Sequence, residues 1–218
     1  MITIKSFVFN FFRENTYLLY DNTKEAVIID CGCFTQHEEK TLSDFIETNR
    51  LNVKRLLCTH NHFDHMTGNA FIDRKYGIRP ELHRKEIEDN PFTLQMQASR
   101  YLGNRRFEEA APARFIDDNE EVGFGNSTLK ALLVPGHSPG SLAFYSKDDC
   151  FIISGDVLFP GSIGRTNLFG GNYHQLIAAI NNRLFTLPDN TTVYSGHGPS
   201  TVIGIEKVNN PFFNAKHE

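Results

Sequence analysis

The segment Thr59-His60-Asn61-His62-Phe63-Asp64-His65 follows directly on the apolar run Leu56–Cys58 and constrains the chain more than any other stretch of it. Side chains alternate in extended backbone, so if extended geometry persists past the strand, His60 and His62 project to one side, as two ligands of a single metal must. Asp64 and His65 then fall where Thr67-Gly68-Asn69 turns the chain toward a helix, placed to face a second metal. One histidine in this position would read as a surface residue, and Asp64 alone as a helix cap. Three imidazoles and a carboxylate crowded at a strand end call for a metal instead.

Three further residues repeat the pattern of a polar group just beyond an apolar run, each preceded by glycine. His137 lies in Val134-Pro135-Gly136-His137-Ser138-Pro139-Gly140, Asp156 in Ser154-Gly155-Asp156, and His197 in Gly196-His197-Gly198. Loops at one rim of a sheet can converge on a single site, and glycine lets the backbone make the turn. Zinc accepts this mix of imidazole and carboxylate, and a catalytic site leaves it a position for water. The expected division is His60, His62 and His137 around one ion, and Asp64, His65 and His197 around the other. Asp156, with two oxygens, is the bridge. The cofactor expected is therefore two divalent metal ions, zinc first, with iron and manganese as alternatives. Two such ions about 3.5–4 Å apart divide attack and departure between them and attract an electron-rich carbonyl or a leaving thiolate.

The scaffold reads as α+β. Ile2–Phe9, Thr16–Tyr20 and Ala26–Ile29 are short, β-branched or aromatic, and separated by Asn/Asp-bearing turns, which predicts a meander. A helix is predicted over Glu38–Thr48, then a strand over Arg55–Cys58. Between Phe71 and Glu109 the chain predicts one strand near Pro80–Leu82 and short helices interrupted at Pro91 and Gly103, the composition of a lid. Strands follow at Leu129–Val134, Leu142–Tyr145, Phe151–Ile153 and Val193–Ser195, with a helix over Tyr173–Leu187. A sandwich with helices on its outer faces follows from this order. At 218 residues, 1–218 is expected to form one domain.

A formal charge of −4 and a pI near 6.1 leave no basic footprint for nucleic acid or an anionic membrane, so a small-molecule substrate is the expected partner. The N-terminus lacks a signal-peptide pattern and no apolar run approaches about 18 residues, which predicts a cytoplasmic protein. Cys31, Cys33, Cys58 and Cys150 read as free thiols, and the single residue between Cys31 and Cys33 is shorter than structural zinc spacing. Oligomeric state is not encoded in any of these features.

The motif H-x-H-x-D-H, with His137, Asp156 and His197 after it in order, resembles the metallo-β-lactamase superfamily across nearly the whole chain. The resemblance implies an αβ/βα four-layer sandwich with metals at one edge. Zinc β-lactamases of the commonest type have Cys where this chain has Asp156 and lack a histidine at position 65, which argues against lactamase activity. Flavodiiron proteins carry Glu where His62 stands. Gly161-Ser162-Ile163-Gly164-Arg165-Thr166, Gly196-His197-Gly198-Pro199, Glu206-Lys207 and Asn210-Pro211-Phe212 look like the short glyoxalase II-like (hydroxyacylglutathione hydrolase-like) hydrolases. That subgroup usually has Asp where Asn167 stands. Arg165, Thr166 and Asn167 are accordingly candidates for substrate contact or for support of the metal loops.

The resemblance implies hydrolysis of a thioester such as S-lactoylglutathione through a metal-bridging hydroxide, with Asp64 orienting the hydroxide and holding its proton. Classical glyoxalase II enzymes append a helical glutathione-binding domain, and the 21 residues after His197 are too few for one, so those contacts do not carry over. The alternative is a mononuclear iron persulfide dioxygenase, in which counterparts of His60, His137 and Asp156 hold the iron.

Overall fold

Strands buried on both faces need cover on both sides, and the central strands of this chain alternate between two different cores. In the computed structural model, which describes residues 1–89, 93–103 and 107–214, Leu18, Ile28 and Leu56 face one helical layer while Leu19, Ile29 and Leu57 face a second sheet. Ile152 and Ala143 likewise turn to helices on the far side, and Ile153 and Phe144 to the intersheet core. The period of two thus produces four layers, helix–sheet–sheet–helix.

The first sheet has the order β1 (Thr3–Phe9), β2 (Glu14–Tyr20), β3 (Glu25–Ile29), β4 (Asn52–Leu57), β5 (Pro80–Leu82) and β6 (Arg114–Phe115). Its first three strands are antiparallel, and β3 through β6 run parallel. The second sheet contains β7 (Glu121–Phe124), β8 (Ser127–Leu133), β9 (Leu142–Ser146) and β10 (Phe151–Gly155) as an antiparallel series. A small hairpin, β11 (Leu158–Phe159) and β12 (Ser162–Ile163), leaves the sheet before β13 (Thr192–Ser195) joins β10 in parallel and β14 (Thr201–Val202) closes the edge.

Helix α1 (Gln36–Thr48) begins two residues before the predicted start because Thr35 and Glu38 form a capping box, with Glu38 Oε2 accepting Thr35 N–H at 2.9 Å. After α2 (Phe63–Met66) and α3 (Asn69–Tyr76) come α4 (Lys85–Glu88) and α5 (Leu94–Leu102). The predicted lid is part of the wall: buried Glu86 on α4 and Gln97 on α5 are bonded into the His60–Asp64 loop. Pro91 lies outside the described residues. The helix predicted over Tyr173–Leu187 is shorter and of two kinds. α6 (Tyr173–Ala179) passes into a π-helical turn over Ile180–Leu184, where Phe185 N–H donates to Ile180 O, and Pro188 prevents further extension. The C-terminal α7 (Ile203–Asn209) and α8 (Pro211–Asn214) were not predicted. Cys31, Cys33 and Cys58 are buried free thiols, and no helix among the described residues is long and apolar enough to cross a membrane.

Candidate metal centre

Strand direction brings together ligand candidates that are far apart in sequence. β3 and β4 are parallel, β10 and β13 are parallel, and β8 runs with β10 because both oppose β9. Their carboxyl ends meet at one rim, laced across the sheets by Leu142 N–H to Thr59 O (2.8 Å) and Asn15 N–H to Gly196 O (2.7 Å). The loops leaving that rim carry His60, His137, Asp156 and His197.

His137 Nε2 stands 2.9 Å from His62 Nδ1 and 3.3 Å from His60 Nε2. Opposite, His197 Nε2 is 3.3 Å from His65 Nε2 and 3.2 Å from Asp64 Oδ2. His60, His62 and His137 therefore offer one ligand atom each within 4.8 Å of one another, and Asp64, His65 and His197 do the same. Asp156 reaches both groups. Its Oδ2 lies 3.7 Å from His137 Nε2 and 3.6 Å from His197 Nε2, and its Oδ1 lies 3.5 Å from His65 Nε2. All seven candidates thus lie in one cluster, with Asp64 and His65 on α2 itself rather than in the turn beyond it.

The outward ring nitrogens settle the tautomers. His137 Nδ1–H donates to Arg165 O (2.8 Å) and His197 Nδ1–H to Phe12 O (3.2 Å), since a carbonyl can only accept. Asp30 Oδ2 accepts from His65 Nδ1 at 2.9 Å. The same carboxylate takes the hydroxyl proton of Thr59, whose oxygen then accepts from His60 Nδ1 at 2.9 Å. Each neutral ring is left with an inward Nε2 lone pair, as a ligand needs. Asp30 also comes within reach of His60 and His65, but its oxygens are occupied by Thr59 and His65, so it supports ligand candidates rather than being one.

A divalent cation suits this donor set. Four Nε2 atoms, one Nδ1 and two carboxylates converge, and Asp156 Oδ1 is buried with no hydrogen-bond partner. A buried carboxylate oxygen left bare is what a cation satisfies.

Electrostatics divide the imidazoles. Burial, reinforced by neighbouring histidines, holds His60 well below the ordinary imidazole range and pushes His62 down to about 3. Burial also lowers His137, against the pull of Asp156. For His65 and His197 burial is outweighed, in His65 by Asp64, Asp156 and Asp30 and in His197 by Asp64 and Asp156, and both are raised. Asp64 and Asp156 lie below the usual carboxylate range, because the surrounding histidines outweigh the effect of burial. Depressed imidazoles lose their stabilising contribution as pH falls below the unfolded value of about 6.5, and raised ones lose theirs as pH climbs above it. Metal-free protein is therefore expected to lose stability as pH climbs above about 6.5, where raised His65 and His197 give up their protons, and the unfolding midpoint in urea should fall over that range.

Two glycines show why that residue precedes ligand candidates. A Cβ on Gly196 would overlap Asp156 Oδ1 and stand 2.7 Å from His65 Cε1. Gly136, at φ 131°, lies against the backbone of Leu176 where a side chain would collide. The substitution Gly196→Ala is expected to lower metal affinity about tenfold or more by displacing Asp156 and His65. Metal titration with a competing chelator measures it.

Several supporting residues had little or no signal in the sequence. Glu86, fully buried, accepts from Asn61 N–H (2.8 Å), Gly140 N–H (2.6 Å) and Ser138 Oγ (2.6 Å), tying the His60–His65 loop to the His137 loop. The β1–β2 turn contributes Phe12 O and Asn10, whose Nδ2 donates to Asp64 O at 2.9 Å. Asn15 Nδ2 holds Ser195 O and Gly198 O. Only Asp30 carried a hint, as a charge directly after the apolar run Ala26–Ile29.

A cavity of about 640 Å³ opens over the cluster and reaches His62, Asp64, Asp156 and His197. Arg165 and Asn167 line it. Thr166 does not, and its carbonyl packs against Gly171. Glu206 and Asn210 secure the β11–β12 side of the cavity, Glu206 Oε2 accepting Gly161 N–H (2.9 Å) and Asn210 Nδ2 donating to Ser162 O (3.1 Å).

Known proteins share the sequence pattern and the fold of this chain. The family profile described as the metallo-beta-lactamase superfamily matches residues 10–197. Hydroxyacylglutathione hydrolase GloC of Haemophilus influenzae is 36% identical over 211 residues, 94% of this chain and 95% of its own. The crystal structure of BLEG-1 B3 metallo-beta-lactamase superposes with a TM-score of 0.87 at 36% identity, covering 97% of this chain and 100% of that one. TTHA1623 in a di-iron-bound form gives a TM-score of 0.81 at 32% identity over 95% of this chain and 99% of its own.

Proposed function

The chain belongs to the metallo-beta-lactamase superfamily, whose members bind divalent metals, and from that membership we propose that it is a binuclear metallohydrolase acting on acyl thioesters. The observation that carries the proposal is Asp156, whose Oδ2 reaches His137 in one three-residue group and His197 in the other, while its buried Oδ1 beside His65 has no hydrogen-bond partner. His60, His62 and His137 would hold one ion, Asp64, His65 and His197 the other, and Asp156 both. Zinc is the proposed metal, with iron or manganese as alternatives. Metals bound there supply Lewis-acid polarisation of a carbonyl and a nucleophilic water at neutral pH.

The chain's own groups do the rest. Asp64 lines the cavity and stays ionised at neutral pH, so its carboxylate is the proton acceptor for the attacking water. Asn10 steadies it through its backbone carbonyl. Arg165 acts twice, its carbonyl orienting His137 while the residue also lines the substrate cavity. A thioester fits because the relative GloC is named a hydroxyacylglutathione hydrolase, and S-lactoylglutathione is the first compound to assay. The protein is further proposed to work as a single domain in the cytoplasm.

The test begins with metal quantification on protein purified without added metal, followed by thiol release from a panel of acyl thioesters. Two divalent ions per chain and chelator-sensitive thiol release are expected. Inactivity of the metal-loaded protein toward the whole panel overturns the proposal. The likeness to BLEG-1 favours a second reading, β-lactam hydrolysis, so a chromogenic cephalosporin belongs beside the thioesters. Oxygen uptake on glutathione persulfide by iron-loaded protein would instead select the dioxygenase.

A further inference from the structure

Aromatic and aliphatic side chains share the lining of the cavity with the polar groups of the metal centre. Phe12, Phe63 and Tyr101 form one side, with Phe12 edge-on to Tyr101 at 4.8 Å and Phe63 stacked on it at 5.7 Å. Ile163, Leu168 and Phe169 contribute a second apolar group to the lining. Tyr101 and Phe169 are still 51% and 55% exposed, so large apolar faces stand in water at a concave surface. Phe11, 58% exposed, extends the aromatic cluster outward by its contacts with Phe12 and Tyr101. Contiguous exposed apolar surface of this kind marks a binding site, and about 640 Å³ is within the usual range for a small-molecule cavity.

The charged lining outside the metal cluster is cationic among the described residues. Arg165 suits an anionic end of a substrate. The carboxylates among the described lining residues are Asp64 and Asp156, and both are turned into the metal cluster.

We propose that the substrate is a thioester with an apolar arm of about six carbons or more, aliphatic or aromatic, packed against Tyr101 and Phe169. This inference rests on the thioesterase reading of the same site. The arm belongs to the acyl group or to the thiol, and two matched series separate the cases.

Metal-loaded full-length protein is assayed on N-acetylcysteamine thioesters of acetate, lactate, butanoate, octanoate and phenylacetate, then on acetyl thioesters of methyl to octyl thiols. In parallel, calorimetry measures binding of S-methyl and S-octyl thioethers of N-acetylcysteamine to metal-loaded and metal-free protein. Full burial is worth about fourfold per methylene, so at least a tenfold rise in kcat/KM along one series and in thioether affinity is expected. Tyr101→Ser and Phe169→Ser, at half-exposed positions, should flatten both dependences. Lactoyl or acetyl compounds performing as well as octanoyl and phenylacetyl ones, with no gain for octyl thiols or thioethers, overturns the apolar arm. Length-dependent thioether binding without thiol release from any thioester supports the arm and rejects the thioesterase reading.

Discussion

Asp156→Asn is expected to reduce the proposed thioester hydrolysis by roughly three orders of magnitude and to leave the purified protein short of metal. The substitution keeps the volume of a buried side chain, so the fold should survive it. It replaces one carboxylate oxygen by an NH₂ and removes the negative charge that touches both three-residue groups. Metal catalysis of this type contributes several kcal/mol of transition-state stabilisation, and each 1.36 kcal/mol is a factor of ten in rate. Elemental analysis and initial rates check the two halves of the expectation separately. A variant that keeps its metal and its rate would show that Asp156 does not bridge.

Asp30→Ala should do more damage to the fold than any exchange among the seven clustered residues. Its carboxylate is 1% exposed and accepts from Thr59 N–H (2.7 Å), Thr59 Oγ (2.7 Å) and His65 Nδ1 (2.9 Å), so it joins the end of β3 to the end of β4 and orients a ring as well. Bonds to charged groups are worth about 1.5–3 kcal/mol each, and the orphaned Thr59 N–H adds a desolvation cost. A loss of about 3–5 kcal/mol in stability is expected, with metal affinity down about 10–100-fold through the freed His65. Urea unfolding and metal competition measure these effects. Asp30→Asn, which keeps an acceptor for Thr59, should recover much of the stability while remaining poor in metal affinity.

The fold could be read in advance where burial follows a simple period. Leu18–Leu19, Ile28–Ile29 and Leu56–Leu57 are apolar at successive positions because each strand has a core on either side, and such runs announce themselves. Short edge elements gave weaker signals. β7 alternates buried and exposed residues over only four positions, and β14 has two residues, too few for a pattern to emerge. The π-helical turn after α6 was hidden for another reason, since its apolar residues suit an α-helix equally well and only the bond from Phe185 to Ile180 reveals the wider turn.

The spacing H-x-H-x-D-H and the Gly-led residues His137, Asp156 and His197 are local facts, and the sequence alone determined that they leave strand ends together with the chemistry they offer. Local coding suffices there because strand alternation and a tight glycine turn act over two or three residues. What only the tertiary structure decided is how each ring is held and what the cluster faces. His197 takes its proton acceptor from Phe12, 185 positions away, and His65 from Asp30, 35 away. The cavity wall joins Phe12 from the first hairpin to Tyr101 from α5 and Phe169 from a loop. Hydrogen-bond direction and van der Waals contact depend on distances between atoms that the chain brings together only when both sheets close on one another.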